Sequence, residues 1–453
     1  MAGIETVALA RYQFAFTIMF HILWPVLIVG LSLFLVIVEA AWIKTGNLVY
    51  YRHARFWSRF FLLFTAVGIA TGFPMEFQFG MNWNLFSEAG GDFFGHILGY
   101  EGAMAFMLEA SFLGIMFFGW KRVSRRMHFF ATCMVAFGAS LSAFWILIAN
   151  SWMQVPTGGH FANGKFIVTD YFKALFTPDM IWSVPHMWFA CLEISLFLVG
   201  GLSAWYLLRR RYTDFFLRSF KIAVIAAIFI TPLQIWLGDG SGEADFRLQP
   251  EKLAAMEAHW ETNPPGKGAA WNLLAWPDPE REKNKWEISI PYVLSILSTR
   301  SLNGKVKGLR DFPKEDRPPI VVPFYAFRVM VAAGFLLFLI MVWTLWDWRK
   351  GNLTTGRIHS RRALLYSWIA GIPISYIAME TGWLVREVGR QPWIIYRMMR
   401  TSEAATPLPP AAVATSFSVY VFVYVFLLFC IFFFARHLIR KGPDLETPIE
   451  KEV

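Results

Sequence analysis

The chain has 453 residues, of which 56% are hydrophobic and only 16% are charged. A soluble chain of this length would divide into roughly two or three domains, but so apolar a composition indicates that lipid surrounds much of it. The formal net charge of +10 does not indicate nucleic-acid binding, because the basic residues occur in short segments between apolar runs. The three cysteines, Cys133, Cys191 and Cys430, lie in apolar stretches and outside any C-x-x-C-H motif. Their positions argue against a disulfide scaffold and against covalently attached haem.

Several apolar runs are long enough to cross a membrane as helices, which takes about 20 residues each. They lie near residues 14–40, 56–76, 93–118, 128–150, 180–208, 216–238, 322–346, 363–385 and 416–439. Between the sixth and seventh runs, 239–321 is polar and punctuated by Pro and Gly, and its stretch PEKLAAMEAHWET predicts a short helix. The sequence therefore predicts an all-α, polytopic membrane helix bundle with about nine spans, forming one domain over residues 1–453.

The distribution of basic residues predicts the orientation of the bundle. The connections after the first, third, fifth and seventh spans are basic, which is typical of the cytoplasmic side. Their basic residues are Lys44, Arg52, Arg55, Lys121, Arg122, Arg125, Arg126, Arg209, Arg210, Arg211, Arg349, Lys350, Arg357, Arg361 and Arg362. With an odd number of spans, the N-terminus and segment 239–321 then lie outside. The C-terminus, preceded by Arg436, Arg440 and Lys441, lies in the cytoplasm.

His21 lies about seven residues into the first predicted span, about 10 Å below the outer surface. A histidine without an evident second ligand suits a five-coordinate haem iron, whose free face could bind oxygen. A hydrogen-bonded histidine between two helices is an equally consistent interpretation.

Glu101 and Glu109 lie eight residues apart in the third predicted span, near one helix face and about 12 Å apart along the axis. Carboxylates within lipid are costly, so such residues usually have a function. We interpret them as stations of a proton relay. A metal site or an ion-translocation site is the alternative.

His186 and Met330 enter from two different spans and are both predicted to lie about 10 Å below the outer surface. A histidine nitrogen and a thioether at one depth can hold a six-coordinate, low-spin haem b. Arg328, two residues before Met330, could bind haem propionates or could extend to the interface. The alternative is that His186 is an interior hydrogen-bonded histidine and Met330 fills the core.

At the outer end of the eighth span, Trp383, Glu387 and Arg390 recur at i, i+4 and i+7 and so share one helix face. The carboxylate could ligate an iron while the arginine balances its charge. An interfacial ion pair at a helix end is the alternative.

The sequence motifs around these residues resemble those of a known protein family. RYQFAFTIMFH, MEFQFGMNW, EGAMAFMLE, GDGSG followed by KLAAMEAHWET, FRVMV and GRQPW occur in the order and at the spacing found in subunit I of cytochrome bd-type quinol oxidases. The chain resembles that family over nearly its whole length. Its external loop lacks the additional C-terminal insertion of longer members and so resembles the short-loop form. This leaves open whether the chain belongs to the cyanide-insensitive branch and whether the third haem is d or b.

The resemblance also implies roles for the residues named above. His186 and Met330 would bind the low-spin haem b, with Arg328 in support. His21 and Glu387 would be axial ligands of two high-spin haems, a haem b and a haem d or third haem b, in an order that stays open. Trp383 and Arg390 would support them, and Glu101 and Glu109 match the acidic residues near these haems. Lys252 and Glu257 would form a quinol site in the external loop.

A terminal oxidase of the bacterial inner (plasma) membrane is therefore the implied function. It would oxidise quinol at the outer face, reduce dioxygen to water and separate charge without pumping, together with a second large subunit and a small single-span one. Two other functions remain as alternatives. A quinol:acceptor haem b subunit would contain only low-spin haems, and a cofactor-free, proton-coupled transporter would use Glu101 and Glu109 as coupling sites.

Overall fold

The computed structural model describes residues 3–446. Within these residues, 9 helices are long and apolar enough to cross a membrane. They are Ile4–Thr45, Leu48–Met81, Asn84–Phe118, Arg125–Gln154, Met180–Leu208, Thr213–Leu248, Val321–Arg349, Arg362–Val388 and Pro410–Lys441. The predicted helical membrane bundle is confirmed. The termini proper, residues 1–2 and 447–453, lie outside the described residues, and so do the predictions about where they end.

The first span is broken into α1 (Ile4–Ile22) and α2 (Pro25–Thr45). Proline has no backbone N–H to continue the hydrogen bonds of α1, and its fixed φ suits the first position of a new helix. Gly46, with φ of +63°, ends α2 in the left-handed region that glycine adopts at low cost. His21 therefore lies immediately before a helix break.

The remaining elements follow in chain order. The helices are α3 (Leu48–Met81), α4 (Asn84–Tyr100), α5 (Met107–Phe118), α6 (Arg125–Gln154), α7 (Tyr171–Leu175), α8 (Met180–Leu208), α9 (Thr213–Leu248), α10 (Pro250–Met256), α11 (Val293–Thr299), α12 (Val321–Arg349), α13 (Arg362–Val388), α14 (Thr401–Ala404) and α15 (Pro410–Lys441). A π-helical segment, Glu101–Phe106, joins α4 to α5. Short 3-10 helices occupy Leu309–Asp311, Lys314–Asp316 and Ile358–Ser360.

Three two-stranded antiparallel sheets, which the all-α prediction did not include, lie in the connections between spans. They are β1 (Gly159–Ala162) with β2 (Lys165–Val168), β3 (Trp271–Asp278) with β4 (Lys283–Ile290), and β5 (Trp393–Ile395) with β6 (Met399–Arg400). The β3–β4 hairpin and α10 give the long connection most of its regular structure. The helix predicted for PEKLAAMEAHWET is α10.

Most of the helices extend beyond the predicted apolar runs, and two of these differences bear on the candidate sites. The first span begins at Ile4 rather than near residue 14, so His21 lies mid-way along the two-helix span. The sixth helix continues to Leu248, so the long connection begins ten residues later than the predicted 239. Hydropathy marks the end of an apolar run, whereas backbone hydrogen bonds carry a helix on through polar residues.

Helices α8, α9, α12 and α13 form a ring in which α9 and α13 each pack against both α8 and α12. Close approach of α8 to α13 depends on glycine, since a Cβ at Gly200 would lie 2.3 Å from the ring of Trp368. Helices α2, α3 and α6 pack beside this ring, and α1 packs against α15 and α3. The ring provides the frame for the candidate site.

Basic segments are joined at one end of the bundle. The guanidinium of Arg55 lies 5.3 Å from the ring centre of Trp120, and that of Arg125 lies 5.2 Å from Trp42. His359 bonds through Nδ1 to the carbonyl of Leu207 at 2.9 Å. The connections after the first and third spans therefore adjoin each other, and so do those after the fifth and seventh.

Candidate haem and quinol sites

His186 and Met330 project towards glycines of the two helices that separate α8 from α12. A Cβ at Gly238 on α9 would lie 3.2 Å from Cε1 of His186, and one at Gly382 on α13 would lie 3.0 Å from Sδ of Met330. The Nδ1 atom of His186 is buried and has no well-formed hydrogen bond. A nitrogen and a sulfur donor thus enter the ring from opposite helices, as a six-coordinate haem iron requires.

Arg328, one half-turn before Met330, connects α12 to the long connection. Its Nη2 donates to Oε2 of Glu257 at 2.5 Å, and its Nε donates to the carbonyl of Asn272 at 2.7 Å. The guanidinium also lies 4.9 Å from the ring centre of Trp271. Its Nη1 is buried without a partner. One arginine therefore holds the loop carboxylate and retains an N–H for an acidic group of a ligand.

Burial and the guanidinium of Arg328 shift the pKa of Glu257 in opposite directions. The carboxyl is 3% exposed, and burial raises the pKa of Glu257 above its ordinary value although the Arg328 guanidinium opposes the rise. A carboxylate with a raised pKa accepts a proton more readily near neutral pH.

Lys252 lies in α10, which begins with Pro250 directly after α9. Its Nζ donates to Oε1 of Gln154 at 2.9 Å and to Oδ1 of Asp245 at 3.2 Å. An ammonium group has three N–H donors, so a further acceptor can still be bound. Burial lowers the pKa of Lys252, and Asp245 opposes that change.

Glu387 is bound by two amides and one arginine. Its Oε1 accepts hydrogen bonds from Asn150 at 2.8 Å and Gln154 at 3.3 Å, and its Oε2 accepts one from Nη2 of Arg390 at 2.5 Å. The ion pair is therefore present, but α13 ends at Val388, so Arg390 lies beyond the helix rather than on its face, and it is only 4% exposed. The Glu387 side chain remains 35% exposed, which leaves its lone pairs accessible to a ligand.

Several buried polar atoms on α13 and in the segment after it lack protein partners. The Nε and Nη1 atoms of Arg390 and the Nε1 atoms of Trp383 and Trp393 are buried without hydrogen bonds, and so are both carboxylate oxygens of Glu380. Buried arginine and indole N–H groups are normally satisfied. The free arginine and indole N–H groups can donate to a bound group that carries carboxylates, as a haem does.

The side chain of His21 is fixed by α3. Its Nδ1 lies 2.9 Å from Oγ1 of Thr71, and that hydroxyl itself donates to the carbonyl of Val67 at 2.8 Å. The hydroxyl must then accept from Nδ1–H, which leaves the Nε2 lone pair free to bind iron. Tyr376 donates to the carbonyl of Leu23 at 3.0 Å. Segment 376–382 of α13 therefore passes both the His21 region and Met330.

Glu101 and Glu109 both adjoin α6. Ser142 donates to Oε1 of Glu101 at 2.6 Å, and a Cβ at Gly138, one turn earlier, would lie 3.2 Å from Cβ of Glu109. In a regular α-helix an eight-residue separation turns the second side chain by about 80°. The intervening π-helix, in which Met107 N–H bonds to the carbonyl of Gly102, holds one residue more per turn and brings both residues towards one face.

The donor set fits haem better than a metal ion bound by protein alone. In residues 3–446 no group of three or more His, Cys, Asp or Glu side chains is placed to hold a metal ion. Each candidate iron ligand stands singly, whereas protein-bound metals usually have three or more protein ligands. Single axial donors with orphaned arginine N–H groups nearby are what haem requires.

Sequence reasoning missed the amides that connect these groups. Asn150 and Gln154 lie one turn apart on α6, and Arg386 donates to Oδ1 of Asn150 at 2.5 Å and to Oδ2 of Asp179 at 2.7 Å. No hydropathy or spacing signal distinguishes an amide of this kind. The only available sign was that Asp179, Arg386 and Glu387 are charges at the ends of apolar spans.

Comparisons with known proteins agree with this arrangement. The family model "Cytochrome bd terminal oxidase subunit I" matches residues 9–443. The chain is 33% identical to cytochrome bd-II ubiquinol oxidase subunit 1 of Escherichia coli, over 99% of both chains. It is 36% identical to cytochrome bd ubiquinol oxidase subunit 1 of Bacillus subtilis, over 96% of this chain and 94% of that one.

The fold agrees as well. The solved structure of bd oxidase from Geobacillus thermodenitrificans superposes with a TM-score of 0.89 at 31% identity, covering 98% of this chain and 100% of that one. Near-complete coverage on both sides means that the match includes the spans and the long connection. The chain therefore belongs to the cytochrome bd terminal oxidase subunit I family, whose members are haem-containing membrane proteins that act in a complex with a second subunit.

Proposed function

We propose that this chain is the catalytic subunit of a terminal oxidase that takes electrons from quinol in the long connection and reduces dioxygen to water within the helix bundle. The observation that carries this proposal is the Arg328–Glu257 ion pair. It joins the loop carboxylate to α12 two residues before Met330. Electrons released beside Glu257 would therefore start next to the low-spin haem ligands.

In the proposed quinol site, the residues that would act are Lys252 and Glu257. The remaining N–H of Lys252 would bind one quinol oxygen. One carboxylate oxygen of Glu257 would accept a quinol proton, while Arg328 binds the other oxygen and so fixes the orientation of the carboxylate. Both side chains are buried, 1% and 3% exposed, so quinol would reach them only when the loop opens. Loop opening is a common control step in such sites.

We propose that His186 and Met330 hold a low-spin haem b, with Arg328 bound to a propionate. His21 and Glu387 would hold a high-spin haem b and a third haem, d or b, and Arg390 and Trp383 could donate their free N–H groups to these haems. When bound, the haems supply one-electron transfer and oxygen reduction. Thr71 would keep Nε2 of His21 directed at iron, and Asn150 would orient Glu387.

Protons for water formation would pass along α6. Ser142 and Gly138 hold Glu101 and Glu109 against that helix, and the shared face gives a proton two successive carboxylates on its way to the high-spin site. Orphaned oxygens on Glu380 provide a further acceptor on α13. These residues would hold and transfer protons without taking part in iron ligation.

For the setting we propose a multi-pass protein of the bacterial inner membrane, with a second large subunit and a small single-span one. The basic segments that adjoin each other at one end of the bundle support a cytoplasmic location for that end. The quinol loop would then lie at the outer face. The protons of quinol would be released outside while those for water are taken up from inside.

The test is a reduced-minus-oxidised spectrum of the purified complex, with and without carbon monoxide, combined with pyridine haemochrome analysis. We expect low-spin and high-spin haem signals, and carbon monoxide should shift only the high-spin ones, because only they have an open position. Met330→Leu should remove the low-spin signal and leave the carbon-monoxide-binding signal in place. A preparation that binds no carbon monoxide, or that contains low-spin haem only, would refute the oxidase.

A further inference from the structure

The strongest connection between the two proposed sites is a single amide side chain, Gln154, the last residue of α6. Its Oε1 accepts from Nζ of Lys252 at 2.9 Å, and its Nε2 donates to Oε1 of Glu387 and to the carbonyl of Arg386, each at 3.3 Å. The residue is fully buried, at 0% exposed. One planar group thus bonds directly to a residue of each site.

The chemistry of an amide suits this position. It presents an acceptor at one side and donors at the other, so it can join a cation to an anion without adding a charge of its own. A buried carboxylate or ammonium in its place would face repulsion from one of the two partners. An aliphatic side chain would leave both partners without a hydrogen bond in a buried region.

The main chain of Gln154 is fixed as well. Its carbonyl accepts from Nε2 of Gln249 at 2.8 Å, directly before α10, and the carbonyl of the preceding residue, Met153, accepts from the N–H of Tyr396 at 3.0 Å. The end of α6 is therefore bound both to the start of the quinol loop and to the segment that follows α13. Movement of either segment would therefore displace the side-chain amide of Gln154.

Charges around the amide are balanced. The cations Lys252, Arg386 and Arg390 are each paired with an anion, and these anions are Asp245, Asp179 and Glu387. Asn150, one turn before Gln154, bridges Arg386 and Glu387 in the same manner. These hydrogen bonds and ion pairs link Lys252 to Glu387 through several side chains, although Nε and Nη1 of Arg390 keep no protein partner.

From these contacts we propose that Gln154 is a positioning residue that holds Lys252 of the quinol site and Glu387 of the high-spin haem site in one hydrogen-bonded unit. The inference rests on the proposed function, because it takes the roles of Lys252 and Glu387 from there. It adds that the two sites share a structural element, so that one substitution alters quinol affinity and haem ligation together.

Two substitutions of Gln154 test its contact with Lys252 and its contact with Glu387 separately. Gln154→Leu removes both hydrogen bonds, so we expect KM for quinol to rise roughly tenfold, the change that loss of one hydrogen bond to a charged group produces, and the high-spin ferric EPR signal to change shape. Gln154→Glu keeps an acceptor for Lys252 but places a carboxylate against Glu387. Because the hydrogen bond to Lys252 is retained, KM should stay within about twofold of wild type, while the EPR signal should change.

The control is Gln13→Leu, which removes an equally buried amide whose hydrogen bonds go to Asn82 and Ser416 and not to Lys252 or Glu387. All variants are measured in the intact complex with a short-chain ubiquinol and a short-chain menaquinol, after haem content is determined. Wild type without haem or turnover would overturn the proposed function itself. If wild type contains haem and is active, three results would overturn the inference. They are an unchanged KM and EPR signal in Gln154→Leu, equal KM changes in the two Gln154 variants, or a raised KM together with a changed EPR signal in Gln13→Leu.

Discussion

Burial and an ion pair have opposing effects on the pKa of Glu257. Burial favours its neutral form, and the guanidinium of Arg328 favours its charged form. The net effect raises the pKa of Glu257, so the carboxylate is lost as pH falls through a value higher than that of an ordinary glutamate, about 4.3. A proton acceptor tuned in this direction is suited to quinol oxidation near neutral pH.

We therefore expect kcat/KM for quinol to decline at acidic pH, with an apparent pKa above the ordinary glutamate value. In Glu257→Gln this acid limb should disappear and the rate should fall roughly a hundredfold, as for loss of a general base, with haem content retained. The matched control is Glu261→Gln, in the same loop, whose side chain is 73% exposed. Persistence of the acid limb in Glu257→Gln would show that another group accepts the proton.

Individual residues also mark the limit of what the sequence could predict. Trp383, Glu387 and Arg390 were identifiable because charges at helical spacing beside an apolar run are conspicuous. Gln154 was not, because its partners Lys252 and Glu387 lie 98 and 233 residues away in the chain. Only folding brings them together, and glutamine has no pattern of its own.

At the level of elements, α13 contacts most of the proposed site. It contributes Trp383 and Glu387 near its C-terminal end, Arg390 follows two residues after that end, and Gly382 makes room for Met330. Hydropathy predicted the number of spans and their approximate positions, but not their ends. It could not predict the break at Pro25, the continuation of α9 to Leu248 or the β3–β4 hairpin, because those depend on backbone hydrogen bonds and long-range packing.

The space at Gly382 leads to a prediction. In Gly382→Ala the new Cβ would lie 3.0 Å from Sδ of Met330, closer than the usual separation of about 3.5–4.0 Å, so the sulfur must move. We expect a shifted or weakened low-spin haem band with the high-spin signals intact. The control is Gly334→Ala on α12, where no heavy atom lies within 4 Å, and its spectrum should match wild type. Identical spectra for both variants would contradict the contact.

The whole molecule has a buried side and an exposed side. The most apolar window of Met180–Leu208 is 67% buried, whereas those of Asn84–Phe118 and Pro410–Lys441 are only 11% buried. The two exposed spans must face lipid or another subunit, and the family implies a second subunit. The carboxylates Glu101 and Glu109 lie on one of these spans, so their surroundings are completed only in the full complex.

The layout of the molecule predicts its proton balance. The long connection after the sixth span, where we propose the quinol site, lies at the opposite end of the bundle from the joined basic segments. In proteoliposomes containing the oriented complex, we expect as many protons released outside as electrons transferred, since charge separation alone moves no additional protons. Glu109→Gln should slow turnover without changing this ratio. More protons than electrons would indicate a pump and contradict the arrangement.

The π-helical segment has a consequence for how this chain tolerates length changes. Because Glu101–Phe106 accommodates one residue more than an α-helix would, a single-residue deletion inside it would restore ordinary helical pitch and leave both carboxylates directed at α6. The same deletion in α5 would rotate everything beyond it by about 100°. A single-residue deletion in this span is therefore expected to be tolerated only within Glu101–Phe106.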